Sequence, residues 1–426
     1  MKNLFSPVYL LTLLLTLTRA GAQEATPSPT APVVEPPTSW VDPDTGHRVV
    51  RLTREADSAS LYFNYNGYTP DGRQMIYTTP EGIGAVDLKT FKTRIVVPGP
   101  VRAIVVGRKT PSVFYIKREE RALYSTHLDT GETRKLGDLP PRGNIATINA
   151  DETLAAGTYI EGEGADYGGT RAQQGRGLEQ PQNKGQMMEE RLAARHPMAM
   201  YTLDLRNGKT TPVLRSTDWL GHVQFSPTDP TLLLYCHEGP WHKVDRVWTI
   251  RTDGSQKTLV HRRTMAMEIA GHEFWSADGK TVWYDLQTPK GEVFYLAGYH
   301  TETGERTWNH LQRDEWSIHF NISNDGTLFC GDGGDPGQVA KAPDGRWIYL
   351  FRPQLTRFDA EFNKGLIRPG VLRSERLVNM AKHGYKLEPN VSFTPDQKWV
   401  VFRSNMFGPT YTFAVEVEKA APEPGR

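Results

Sequence analysis

Cysteine is scarce: only Cys236 and Cys330 occur in 426 residues, so no disulfide framework holds this chain and its stability must come from buried apolar surface. Both thiols sit near strand ends, and the sequence leaves open whether they pair. No stretch beyond the start approaches the roughly 18 apolar residues that a membrane-spanning helix needs. No sign of charge dominates either. Fifty Lys and Arg are matched by 49 Asp and Glu, a net charge of +1, which argues against nucleic-acid binding through a broad basic field and leaves local clusters to hold an anionic ligand. Several chemical signatures are missing as well: there is no G-x-S-x-G elbow, Walker A loop, H-E-x-x-H or paired C-x-x-C. Ser-His-Asp hydrolysis, phosphate cradling and structural zinc therefore lack their usual sequence support.

What is present suits a folded, exported protein. Hydrophobic residues make up 38% and aromatics 10%, enough for a large packed core. Residues 1–22 have the form of a signal peptide: Lys2, the largely apolar run Val8 to Leu17, and Ala20-Gly21-Ala22 before Gln23. Such a segment predicts export to the periplasm or beyond the cell. Residues 23–40 follow as a spacer, with five prolines between Ala25 and Thr38 favouring extended chain.

From residue 41 to about 420 one phrase recurs, Ser/Thr-Pro/Ala-Asp-Gly followed by a short apolar strand. It is read at 68–79, 148–160, 225–236, 274–286, 321–333 and 393–404. A second, looser hairpin follows most copies, so the unit is roughly 40 to 50 residues and four strands, the size of a propeller blade. The count predicts an all-β, seven-bladed β-propeller, with residues 47–52 joining the last blade to close the ring and remove an open edge. Residues 162–196, rich in Gly and Gln with a helical stretch from Met187 to Arg195, read as a long loop inserted in the third blade.

A fixed offset from these turns gathers polar residues. Four positions before Ser226, Ser276, Ser323 and Thr394 stand His222, His272, His319 and Asn390, where a sheet packed on both faces would ordinarily carry a small or apolar residue. Since the innermost strand of each blade lines the central channel, the offset would place these side chains around one cavity. The bland alternative is that a repeated polar residue merely hydrogen-bonds adjacent blades. Further candidates lie close by. His237, Glu238, His242 and Arg246 follow a strand in 236–248, where a connecting loop could face a ligand or be plain turn chemistry. Glu388, two residues before Asn390, shares its face of an extended segment. An imidazole, a carboxylate and an amide oxygen suit Mn²⁺, Mg²⁺ or Ca²⁺ better than a thiolate zinc site.

The segments HRVVRLT, SLYFNYNGYTPDG, CHEGPWH, EIAGHEFWSADG, GTLFCGDGG, RLVNMAKH and SFTPDQKWVVFRSNMFGP resemble the oligogalacturonate lyase family of pectin-degrading propellers, over about Gly46 to Val417. The resemblance implies a seven-bladed propeller that binds Mn²⁺ and splits short oligogalacturonides by β-elimination. It implies His272 as catalytic base, Arg246 as its assisting cation and His319 as the first metal ligand. The family's remaining ligands lie in a Gln-x-x-His-Pro-His-Pro-Ser-Phe-Thr segment. Here Tyr385, Glu388 and Asn390 stand in place of the glutamine and the two histidines, so the metal and the uronate substrate are both open to change. His222, His237, His242 and Tyr385 are expected to contact the substrate, an acidic oligosaccharide. The rival expectation is a non-catalytic exported propeller that binds a glycan or protein partner through the same rim.

Overall fold

The computed structural model describes residues 35–162, 184–338 and 341–421. The expected signal peptide and most of the spacer fall outside these residues. All described secondary structure lies in the unit Pro37–Arg426, and nearly all of it is strand. No described helix is long and apolar enough to cross a membrane.

The strands form six hydrogen-bonded sheets, where seven separate ones were expected. Four sheets have four strands each. A fifth contains eight, because the strand Arg306–Leu311 ending one four-stranded run pairs in parallel with Ile367–Asn379 ending the next. The sixth is built from both ends of the chain: His47–Arg51 pairs antiparallel with Tyr411–Lys419, as the sequence predicts. Ser39–Val41 adds an outer strand to it, so the ordered fold begins inside the stretch read as spacer.

The recurring turn has a plain physical basis. The hydroxyls of Thr69, Ser276, Ser323 and Thr394 each donate to the aspartate two residues on, at 2.5–2.7 Å. Each also accepts the N–H five residues on, at 2.9–3.2 Å. The hydroxyl thus closes the hairpin on both sides, and Gly72, Gly279 and Gly326 supply the positive φ the turn requires. Between sheets, Phe274, Phe294, Trp316, Phe320, Phe329 and Phe351 belong to one buried cluster; each such side chain contributes roughly 1.5–3 kcal/mol on burial.

Six of the runs send residues of their first strand to one cavity, with contributions from Val101–Val106, Gly143–Ile148, Trp219–Phe225, Ile269–Trp275, Phe320–Ile322 and Ser392–Phe393. The remaining run begins with the two-residue strand Ala59–Ser60, and residues 63–66 reach the cavity instead. The inserted segment is described from residue 184 and forms the helix Lys184–Ala194, lying in sequence between strands Leu154–Ile160 and Met198–Asp204 of one sheet.

Candidate active site

Three of the four offset positions share an unusual backbone. His222, His272 and Asn390 have φ of +49°, +48° and +56°, a left-handed conformation that costs a branched L-residue energy unless neighbours enforce it. In two of them the enforcing feature is a β-bulge: the pairing register slips between Gly221 and Gln224, and between Gly271 and Phe274. The glycine before each histidine leaves room for a carboxylate. A Cβ at Gly221 would lie 3.0 Å from the Glu238 side chain, and one at Gly271 would lie 3.2 Å from Asp285 Oδ1.

The bulges help assemble two adjoining clusters. In the first, the His272 and His319 rings meet edge to face with centroids 5.0 Å apart. His272 Nδ1 is 2.9 Å from Asp285 Oδ1, and His319 Nδ1 is 2.8 Å from Asp332 Oδ2. Each carboxylate fixes the orientation of its imidazole and leaves Nε2 as the working nitrogen. His319 Nε2 lies 3.2 Å from the Tyr62 hydroxyl and 3.8 Å from Glu388 Oε2. Burial lowers the His319 pKa, with the Asp332 charge opposing it, so the ring favours its neutral, ligand-competent form.

The second cluster is a chain of alternating charge. Arg191 donates to Glu238 at 2.8 Å, and the other Glu238 oxygen is 2.9 Å from His222 Nε2. His222 Nδ1 is 3.6 Å from Glu273 Oε1, and Arg246 Nε donates to Glu273 Oε2 at 3.3 Å. Burial disfavours the charged form of Glu238, but the His222 hydrogen bond and the Arg246 and Arg191 charges outweigh it and hold the carboxyl well below its usual range. Glu273 is lowered in the same way, its burial offset by Arg246 and His222. Arg246 Nη1 is buried and has no hydrogen-bond partner among the described residues. Burial raises the Tyr62 pKa, helped by Glu388 of the first cluster and Glu273 of the second.

The other candidates are placed differently. Asn390 is fully buried and both ends of its amide are engaged: Oδ1 accepts from Phe63 N at 3.3 Å and Nδ2 donates to Glu388 O at 3.0 Å. The amide is thereby held against the Glu388 segment, with one lone pair of Oδ1 in use. Tyr385 is also buried, its hydroxyl donating to the Asp332 carbonyl at 3.2 Å. His237 alternates with Cys236 and Glu238 along strand Leu232–Glu238 and so faces away from them; its ring packs against Tyr235 and Trp248. His242 joins neither cluster through any side-chain contact found among the described residues, and only its carbonyl is used, by Arg263. Cys236 and Cys330 are free buried thiols. Asp285, Asp332, Glu273, Tyr62 and Arg191 were missed by the sequence reading. Asp285 reaches the ring because it pairs directly across from Gly271, one residue before His272.

Sheets whose first strands surround one cavity, with imidazoles, carboxylates and a buried guanidinium gathered in two adjoining clusters, define a propeller-like all-β enzyme. Residues 38–421 match the family described as oligogalacturonate lyase, and the chain belongs to that family of lyases. It is 26% identical over 403 residues to the oligogalacturonate lyase of Dickeya dadantii, covering 89% of this chain and 95% of that one. It is 25% identical over 401 residues to the oligogalacturonide lyase of Pectobacterium atrosepticum, with the same coverage. In fold it is similar to an oligogalacturonate lyase solved in complex with manganese, with a TM-score of 0.71, 22% identity and coverage of 89% of this chain and 96% of that one. The oligogalacturonate lyase of Vibrio parahaemolyticus gives a TM-score of 0.70 at 21% identity, with the same coverage. Membership supports a pectin-related lyase function.

Proposed function

We propose that this protein cleaves oligogalacturonides, or related uronate oligosaccharides, by β-elimination within an exported seven-bladed propeller. In the blade count the eight-stranded sheet stands for two blades. The observation that carries the chemistry is the His272–His319 pair, two touching imidazoles each held at Nδ1 by a buried aspartate. Elimination across C4 and C5 of a uronate begins with loss of the C5 proton, which is weakly acidic because it lies beside a carboxylate. His272 Nε2 is the base that takes it. The unpartnered Arg246 Nη1 binds the uronate carboxylate and stabilises the charge that develops on it. His222, 2.9 Å from Glu238, is our candidate for protonating the leaving O4.

The residues present fit a divalent cation in part. His319 Nε2 and a Glu388 oxygen are 3.8 Å apart, a separation that a shared ion at ~2.1 Å from each could span, and the Asp332 contact to His319 Nδ1 is the usual outer partner of a metal-bound histidine. His319 and Glu388, with the Asn390 amide beside Glu388, would hold the ion, and an imidazole with oxygen donors suits a hard ion such as Mn²⁺. When bound, such an ion supplies positive charge beside the substrate carboxylate.

The test is direct. Purified protein incubated with trigalacturonate should release a conjugated, ultraviolet-absorbing product, and chelation should lower the rate. His272→Ala should lower kcat by about 10²–10⁴-fold; full turnover in that variant would remove His272 as the base, and no product from any uronate oligomer would sink the lyase reading.

A further inference from the structure

A second cavity opens beside the His222 cluster, lined among others by Tyr62, Tyr65, Arg102, Asn144, Thr158 and His222. It adjoins the first cluster through Tyr62, whose hydroxyl is 3.2 Å from His319 Nε2. Its one cationic lining residue is Arg102, on strand Val101–Val106. The Arg102 guanidinium donates from Nη1 to the Asn144 side-chain oxygen and to the Ile145 carbonyl, the latter at 3.0 Å. No carboxylate pairs with it among the described residues. The contrast with its neighbours is sharp, because Arg191 and Arg246 each have a glutamate. Burial disfavours the Arg102 charge, the neighbouring Tyr65 hydroxyl opposes that, and a further cation, Arg118, adds to it. A partly buried guanidinium without a counter-ion is unfavourable in the empty protein and becomes favourable once a carboxylate arrives in its plane. The two tyrosine rings in the wall suit the apolar face of a pyranose.

We propose that Arg102, with Tyr65 and Asn144, forms a second anionic subsite that binds the carboxylate of a uronate adjacent to the one being cleaved. This rests on the uronate reading above and deepens it: the preferred substrate carries at least two neighbouring free carboxylates. Arg102 and His272 lie on the first strands of two different sheets, Val101–Val106 and Ile269–Trp275. Arg102 is therefore a specificity-determining residue and takes no part in the proton transfer.

The experiment measures calorimetric binding and steady-state kinetics of wild type, Arg102→Gln and Arg102→Lys with trigalacturonate and with trimers methyl-esterified at one uronate at a time. Arg102→Gln should raise Kd and KM about 10- to 100-fold with kcat within a few-fold, as for loss of a charge-assisted pair. Arg102→Lys, which keeps the charge but loses the planar fork, should fall between; it also carries the test if the glutamine variant folds poorly. One esterified trimer should weaken wild type by the same factor and weaken Arg102→Gln no further, the signature of a direct pair. Unchanged trimer binding by Arg102→Gln, or equal losses with every ester, would overturn the subsite and mark Arg102 as a tie between sheets. Ester-specific binding by a wild type that releases no unsaturated product would keep the subsite and reject the elimination.

Discussion

At the level of single residues, one hydrogen bond decides which nitrogen of each histidine is free to act. Asp285 holds His272 Nδ1 and Asp332 holds His319 Nδ1, so the two aspartates position the proposed base and the proposed ligand. Replacing Asp285 by Asn should lower kcat by about 10-fold or more with little change in KM, because the ring loses its orienting charge; steady-state kinetics on trigalacturonate check this. Asp332→Asn should weaken divalent-ion binding by about 10- to 100-fold, read by titration calorimetry. The histidines were legible in the sequence because a repeating turn gives them a common offset. Their carboxylate partners were not, since Asp285 and Asp332 sit 13 residues further on and reach the rings only through strand pairing.

At the level of elements, the inserted helix Lys184–Ala194 ties the outside of the molecule to the site. Arg191 lies over the Trp219 ring, 4.3 Å from its centroid, and ends on buried Glu238, while Glu189 pairs with Lys243 at 2.8 Å. Met188 is the helix residue that is buried. Arg191→Ala should therefore destabilise the fold by on the order of 2 kcal/mol, as Glu238 loses a charged partner in a site with little water. It should also disturb His222. Urea unfolding measures the first effect, and a fall in kcat larger than any rise in KM identifies the second. The sequence indicates a helix here through its run of Met, Glu, Leu, Ala and Arg, but the partner of Arg191 is 47 residues away and no local pattern points to it.

For the molecule as a whole, stability rests on sheet packing, ring closure by His47–Arg51 against Tyr411–Lys419, and buried ion pairs. With both cysteines free, the melting temperature should be the same with and without reductant, as calorimetry would show. Acid should be more damaging. Burial disfavours the charged form of Glu268, yet His261 at 2.6 Å and Thr264 at 2.8 Å outweigh it and hold its pKa down to about 2, from 4.5. Because the folded value is the lower one, this contribution is fully present above about pH 4.5 and fades as pH falls toward 2. It amounts to about 3 kcal/mol. Urea midpoints measured over that window should fall for the wild type and vary less in Glu268→Gln.

The amino-acid pattern alone determined the four-stranded repeat, the turn chemistry, the joining of the two chain ends in one sheet and the alignment of His222, His272 and His319, because these follow from spacing and from residue-specific backbone preferences. Tertiary structure decided which candidates meet. It turned His237 away by strand alternation, engaged Asn390 and Tyr385 in support, and fused two four-stranded runs into one sheet. It also brought Arg102 to a cavity and set Glu238 and Glu273 beside His222 from separate strands. Side chains distant in sequence become neighbours only when sheets pack around a common axis, and that proximity sets their charge, their hydration and the chemistry open to them.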